Sequence, residues 1–241
     1  MDEIINKFTR GNQIENLPLL IHFEFSAMKT FAKQTAHFYE EWEKNVLKEF
    51  ESQRNDTPDI DENGMKSYVW KWMRNELDKK DQLNGIMLSS GFISSVALFE
   101  FLLSEICMIV VDKSKITPEE IVGDSYIEKS KTYLSKVFGI DLSSVESKWK
   151  ELFEYSQIRN KIIHAQSRVK KHADTREKDQ PALYKKIKSM KGILFDLEFE
   201  SLAHFVITEP EFIEKYCDLA EEYLISVVSK VNEKITLSGT R

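Results

Sequence analysis

Apolar residues recur every three or four positions along much of this 241-residue chain, and this spacing is the feature that most limits its fold. The spacing is typical of α-helices that bury one face. Glycine and proline, which interrupt helices, are scarce, with 8 and 5 residues. The sequence therefore predicts an all-α fold, organised as a helical bundle.

Residues 17–54 predict one long amphipathic helix. Pro18 suits the first turn of this helix, because that turn does not need the backbone N–H that proline lacks. The predicted buried stripe is Leu20, Phe23, Ala27, Phe31, Thr35, Phe38, Trp42, Val46 and Phe50. A polar stretch, residues 54–64, then predicts a loop before a second helix over residues 65–80.

Residues 89–111 predict a central core helix, since apolar residues occupy more than one side of it. Glu100 and Glu105 lie near the middle of its longest apolar run, and each carboxylate is costly in a bilayer. We therefore interpret the run as a buried bundle helix and predict no membrane span. Glu100 is expected either to pair with a base such as Arg159 or to remain half-exposed at the edge of the stripe.

Four Ser/Thr-x-x-Glu sequences predict helix starts, at Thr117, Ser125, Ser143 and Thr208. The third predicts a helix that begins near Ser144 and continues towards Val169. Before the last helix, residues 192–208 alternate apolar and polar side chains in places and predict a short β-hairpin. An amphipathic helix over residues 211–231 closes the pattern.

Cysteine usage and the N-terminal residues favour a reducing, cytoplasmic location. Cys107 and Cys217 lie in apolar helical runs and are too few for a disulfide framework. The first residues have no basic segment followed by an apolar core, so we predict no signal peptide.

Charge is distributed unevenly along the chain. The net charge is −6, which argues against a general nucleic-acid-binding protein. Residues 155–191, however, contain eleven Lys or Arg against three Asp or Glu, a local net charge of +8. The basic segment starts at the sequence that carries the candidate site.

The candidate site is the sequence RNKIIH, which contains Arg159, Asn160 and His164. On a helix, Asn160 and His164 are four apart and share a face, while Arg159 lies about 140° away from His164. Either the long arginine reaches round the helix, or a second copy of the helix supplies the missing group across a two-fold axis.

These residue types suit cleavage of RNA by its own 2′-hydroxyl. A histidine with an ordinary pKa of about 6.5 exchanges protons at neutral pH, and an arginine stabilises the charge on a phosphate. Neither step requires a metal ion or a cofactor, and we predict neither. The sequence from Asp59 to Gly64 matches the first half of a calcium loop, but Trp70 stands where the bidentate glutamate belongs. We interpret it as a polar turn.

In this motif the chain resembles the HEPN superfamily, whose ribonuclease members carry Arg, four to six residues and then His, often as Arg-Asn-x-x-x-His, late in a helical bundle. The resemblance covers residues 85–231 and includes the long apolar helix with its acidic residue. It implies a HEPN-like bundle domain over residues 85–235, preceded by a helical extension over residues 1–84. It also implies catalytic roles: His164 as the acid or base, Arg159 as the phosphate binder, and Asn160 as the residue that orients His164 or the phosphate. Glu100 and Tyr155 are expected to support them.

The resemblance further implies a metal-independent endoribonuclease that acts as a homodimer and leaves 2′,3′-cyclic phosphate ends. Such proteins are toxins of toxin–antitoxin and phage-defence systems, so a protein or RNA antitoxin is an implied partner. The alternative is a non-catalytic module that binds a nucleotide, RNA or protein.

The basic segment is expected to follow the RNA backbone beside the site, because phosphate contacts give sequence-independent affinity. The alternative is a solvated charged loop. The predicted RNA-binding residues are Arg168, Lys170, Lys171, Arg176, Lys185 and Lys186.

Overall fold

A computed structural model describes residues 10–56, 65–114, 116–123, 125–172, 176 and 179–239. The calcium-loop sequence discussed above lies outside these residues. The described part contains six α-helices and one three-stranded antiparallel sheet. The helices are α1 (Arg10–Asp56), α2 (Met65–Ser114), α3 (Tyr126–Thr132), α4 (Glu146–Ala165), α5 (Ala182–Ser189) and α6 (Glu211–Gly239).

The sheet has the strand order β1-β3-β2, with β1 (Arg168–Lys170), β2 (Ile193–Glu198) and β3 (Leu202–Ile207). Strands β2 and β3 form the predicted hairpin before the last helix. The predicted mostly helical fold with a short hairpin is therefore confirmed. Strand β1 was not predicted, because it consists of three residues and depends on pairing with the distant β3.

Backbone packing divides the chain into two compact units. The described residues of the first unit are 10–28, 93–160 and 215–239, and those of the second are 29–92 and 161–214. The boundaries fall within α1, α2 and α4, so each of these helices contributes to both units. The sequence-based junction after residue 84 lies within α2.

Aromatic side chains from α2, α4 and α6 form the core of the first unit. The Tyr223 ring lies 5.9 Å from Phe99 and 5.7 Å from Trp149, measured between ring centroids. Both cysteines are buried here as free thiols, which confirms their predicted placement in the apolar interior. Burial raises the pKa of the Cys107 thiol to about 12, so it is not a ready nucleophile.

The core of the second unit joins the sheet to the helices that pack against it. Tyr184 of α5 stacks on Phe195 of β2 with 4.8 Å between ring centroids. Phe92 of α2 packs edge-on against Phe212 of α6, at 4.9 Å. The sheet is thus held in place by α5 on one face and is not a free hairpin.

Helix α2 is continuous where the sequence predicted two helices, over 65–80 and 89–111. Asn84 and Gly85 look like a break, but they are the place where β3 meets the helix. A Cβ atom on Gly85 would lie 2.5 Å from Val206 Cγ1, and Asn84 Nδ2 donates a hydrogen bond of 3.3 Å to the Thr208 carbonyl. Glycine is therefore required for close packing and does not end the helix.

The predicted buried stripe of α1 is wrong in its first half. Phe23 and Phe38 are exposed, whereas Ile21, Phe25 and Ala32 are fully buried. Successive members of the predicted stripe are on average slightly more than 3.6 residues apart, so the stripe drifts around the helix axis. It joins the buried face only at Thr35, Val46 and Phe50.

The start of α1 also differs from the prediction. The helix begins at Arg10, so Pro18 lies inside it and not in the first turn. Its missing N–H leaves the carbonyl of Ile14 without the usual helical hydrogen bond.

One helix in the described residues is long and apolar enough to cross a membrane, the segment Ser67–Val111 of α2. Val96, Phe99, Leu103 and Ile106 of this segment are buried, whereas Phe101 and Met108 are exposed, and 44% of its most apolar window is buried. The buried positions agree with the predicted core helix, and the absence of a membrane span stays a prediction.

Gly85→Ala should lower the free energy of unfolding by about 1 kcal/mol, although alanine favours helices. Overpacking against the stiff Val206 costs about 1–3 kcal/mol, which exceeds the ~1 kcal/mol gain in helix propensity. Urea denaturation measures the change, with the exposed Ser94→Ala on the same helix as a control that should be neutral or slightly stabilising. Val206→Ala should remove most of the penalty, and a Gly85→Ala variant as stable as Ser94→Ala would contradict the close contact.

Candidate functional site

Helix α4 carries all three motif residues, and its start agrees with the sequence prediction. A short 3₁₀ turn, Ser143–Val145, precedes Glu146, and Asp141 Oδ1 accepts a 2.9 Å hydrogen bond from the Ser143 backbone N–H. The buried residues of α4 are Trp149, Leu152, Tyr155 and Ile158. This spacing of three residues fixes which side of the helix faces the core.

The orientation of α4 leaves the motif residues at different depths. Arg159 follows the buried Ile158 and is half-buried, while Asn160 and His164 are exposed. The first two belong to the first packing unit and His164 to the second. A solvent-facing histidine at the end of α4 is accessible to a large substrate such as RNA.

The Arg159 guanidinium is held by its own neighbour. Nη1 donates a 3.0 Å hydrogen bond to Asn160 Oδ1. Nε is buried and makes no hydrogen bond with any residue in the described part of the chain. Since Asn160 turns its oxygen towards Arg159, its NH₂ group points elsewhere and remains a donor for a ligand.

Glu100 of α2 faces the same arginine. Burial raises the pKa of the Glu100 carboxyl, and the positive charge of Arg159 opposes this rise. Glu100 is half-buried at the edge of the apolar stripe, which is one of its two expected positions. The described residues show no ion pair between Glu100 and Arg159, so the two charges interact only at longer range.

Tyr155 lies in the apolar core and not at the surface. Its side chain is buried, and its ring lies 5.2 Å from that of Tyr216 on α6. Burial raises the pKa of both phenols, so they stay neutral at physiological pH. Tyr155 therefore anchors α4 one turn before Arg159.

His164 stands just before a strained turn. Gln166 and Ser167 both have positive φ angles, 50° and 59°, in a conformation that costs non-glycine residues roughly 1–2 kcal/mol each. The Ser167 N–H bonds to the Lys161 carbonyl at 2.9 Å, and the Ser167 carbonyl accepts from the Phe205 N–H at 3.1 Å. This turn connects α4 directly to β1. The His164 side chain makes no hydrogen bond or ion pair with another residue that the structure describes.

The predicted RNA-binding residues separate into three groups. Lys171 pairs with Glu198, and Arg176 pairs with Asp179 at 3.5 Å, so both already have acidic partners. Lys185 and Lys186 lie on α5 and are half-buried. Arg168 and Lys170 on β1 are exposed and form no ion pair within the described residues.

Sequence reasoning missed one polar pair on the sheet. His204 Nδ1 of β3 lies 2.6 Å from Asp196 Oδ1 of β2. Asp196 stands at a register shift between β2 and β3, so strand alternation alone does not place it beside His204. The available signal was the predicted hairpin, which contains both residues.

Metal ligation has no support in the described residues. No group of three or more His, Cys, Asp or Glu among them is arranged to hold a metal ion. Comparisons with known proteins do not identify the chain either, since no family model, curated protein or solved structure matches it.

Wild type should lose stability relative to Glu100→Gln as the pH rises through and above 4.5, the ordinary pKa of the carboxyl. Burial raises the folded-state pKa, so the folded protein holds the proton more tightly than the unfolded chain, and deprotonation weakens folding. Urea denaturation over a pH series measures the difference. Glu105→Gln, which removes an exposed carboxylate from the same helix, is the matched control. If the wild type instead gained stability relative to Glu100→Gln as the pH rose, the attraction of the Glu100 carboxylate to Arg159 would outweigh the cost of burying it.

Proposed function

We propose that the protein is a metal-independent endoribonuclease that cleaves RNA by attack of the 2′-hydroxyl. The observation that carries the proposal is the exposed His164, on the same helix as an arginine and asparagine whose N–H groups suit a phosphate. The sequence RNKIIH and its place in a helical protein resemble the HEPN ribonucleases.

In the proposed reaction His164 acts as the base that takes the proton of the 2′-hydroxyl, or as the acid that protonates the leaving oxygen. The 2′-oxygen forms a bond to phosphorus, and the bond from phosphorus to the 5′-oxygen breaks. The products are a 2′,3′-cyclic phosphate and a 5′-hydroxyl. Arg159 and the NH₂ group of Asn160 bind the phosphate oxygens and stabilise the charge that develops on them.

The working site is composite in this proposal, with Arg159 from one subunit and His164 from its partner. Ideal helix geometry places the two side chains about 140° apart, so a single helix directs them to different sides. A two-fold axis that brings two α4 helices together supplies both groups at each of two equivalent sites.

The biological role proposed from the same resemblance is that of a cytoplasmic toxin in a toxin–antitoxin or phage-defence system, restrained by a protein or RNA antitoxin. Induced expression of the wild type should then arrest growth. Expression of His164→Ala to the same level should not.

A non-catalytic binding module is the second candidate. Arg159 is half-buried, donates a hydrogen bond to Asn160 and is attracted to Glu100. An arginine held in this way by its own chain can serve as a structural residue, which favours the binding module. A cleavage assay separates the two candidates directly.

His164→Ala should lower the RNA cleavage rate at least about 100-fold, because proton transfer by a positioned side chain contributes on this scale. Purified protein and labelled total RNA in excess EDTA provide the measurement. His37→Ala removes another exposed histidine, on α1, and should cleave like the wild type. Full activity of a folded His164→Ala variant would reject the assignment, as would loss of wild-type activity in EDTA with recovery on one divalent ion.

Arg159→Ala and His164→Ala should each be inactive, yet regain about a quarter of wild-type activity when unfolded and refolded together. Random mixing makes about half of the dimers mixed, and one of the two sites in each combines the intact groups. The control mixes wild type with the Arg159→Ala/His164→Ala double variant. About a quarter of the activity should then remain if the site is composite, and about half if each subunit works alone. Mixed dimers without recovered cleavage would reject the composite site.

A further inference from the structure

We propose that the sheet binds a single strand of RNA on its open face, defined by Arg168, Lys170, Leu197, Leu202 and His204. This inference rests on the proposed ribonuclease function and names the form of RNA that the site takes. The phosphates lie at Arg168 and Lys170, and unpaired bases lie against His204 and the two leucines.

Strand register assigns these side chains to one face. Arg168 pairs with His204, Lys170 pairs with Leu202, and Leu197 also pairs with His204. Residues paired across antiparallel strands project to the same side of the sheet. The five residues therefore share a surface that belongs wholly to the second packing unit.

The opposite face is already covered. Val169, Ala203 and Phe205 alternate with the residues of the open face and are buried, and Tyr184 of α5 stacks on Phe195 there. Helix α2 meets the open face at the far end of β3, where Gly85 packs against Val206. Leu197 keeps 54% of its surface exposed and Leu202 keeps 38%, so the open face presents unshielded apolar groups.

Charge and spacing on the open face match a nucleic-acid backbone. Arg168 and Lys170 are two residues apart on a strand, which separates them by roughly 6.6 Å. Neighbouring phosphates of one extended strand can meet both. Neither side chain forms an ion pair with a residue in the described part of the chain, so both charges are available.

The His204–Asp196 pair adds a group with a fixed orientation. The carboxylate of Asp196 holds Nδ1, which turns Nε2 of the ring away from Asp196. The ring stands directly across from Arg168, and its side chain is 30% exposed. A held imidazole beside an arginine is suited to stack on a base or to hydrogen-bond with it.

The open face lies close to His164 in sequence and carries apolar side chains, and both features favour single-stranded RNA over other ligands. Only three residues separate His164 from Arg168, so a strand that crosses the open face continues towards the proposed catalytic helix. Leucine and histidine side chains reach the faces of bases only when these are unpaired, because a duplex hides them. Attack by a 2′-hydroxyl also requires a flexible nucleotide, which a single strand provides.

The test measures binding apart from cleavage. The His164→Ala protein is titrated into fluorescein-labelled, 2′-O-methylated RNA of mixed sequence, single-stranded or annealed as a duplex, and anisotropy is recorded at several salt concentrations. Arg168→Gln/Lys170→Gln is compared with Lys48→Gln/Arg54→Gln, which removes two exposed positive charges from α1. Circular dichroism verifies the fold of each variant.

Single-stranded RNA should bind at least about 10-fold more tightly than the duplex, and the Arg168→Gln/Lys170→Gln variant should weaken its binding by about 10-fold or more. The salt slope should fall by about 1.4, since each lost single-strand phosphate contact contributes about 0.7. His204→Ala should weaken binding without changing this slope. The Lys48→Gln/Arg54→Gln control should bind like its parent.

Equal binding by the two double variants would overturn the proposal, and so would a preference for duplex or no measurable binding. Cleavage by the otherwise wild-type protein is assayed in parallel. Cleavage that persists in Arg168→Gln/Lys170→Gln with unchanged affinity would refute the open-face site and leave the ribonuclease function standing. Absence of any cleavage by the wild type would refute the ribonuclease function whatever the binding result.

Discussion

The buried face of α4 is the constraint on which the candidate site depends. Trp149, Leu152, Tyr155 and Ile158 each contribute about 1.5–3 kcal/mol by leaving water, so rotation of the helix about its axis would cost several kcal/mol. That fixed rotation leaves Arg159 half-buried, within electrostatic range of the Glu100 carboxylate, and turns His164 to solvent. The proposed chemistry needs both outcomes, because a phosphate binder must be held in place and a proton carrier must reach the RNA.

The turn after α4 makes a second connection between the helix and its surroundings. Gln166 and Ser167 adopt left-handed conformations that glycine would tolerate better, and the Ser167 backbone is held by hydrogen bonds with Lys161 and Phe205. Strain of this kind persists only where the surrounding structure imposes it. Its effect is to start β1 at Arg168, which places two exposed cations on the sheet directly after the histidine.

Local patterns predicted the elements, and long-range contacts decided which residues remain available. The helix that carries RNKIIH and the late hairpin follow from periodicity, which is a property of neighbouring residues. The continuity of α2 does not follow from periodicity, because Gly85 looks like a helix break until Val206, far along the chain, is seen to pack on it.

The basic segment shows the same limit of prediction from neighbouring residues. Its charge is evident from composition, but the pairing of Lys171 with Glu198 depends on the fold that brings β1 and the hairpin together. Exposure on α1 was misjudged because the predicted apolar stripe drifts around the helix axis, and tertiary packing buries a face that includes Ile21, Phe25 and Ala32 instead.

The central claim is that RNA is cleaved by its own 2′-hydroxyl with help from side chains of this protein. Analysis of the cleaved ends tests it most directly, with a substrate mapped for its cleavage position and a second copy that carries one 2′-deoxynucleotide there. The account predicts 5′-hydroxyl and 2′,3′-cyclic phosphate ends on the first RNA and no cut at the substituted position of the second. Cleavage at the 2′-deoxynucleotide, or products with 5′-phosphate ends, would contradict it.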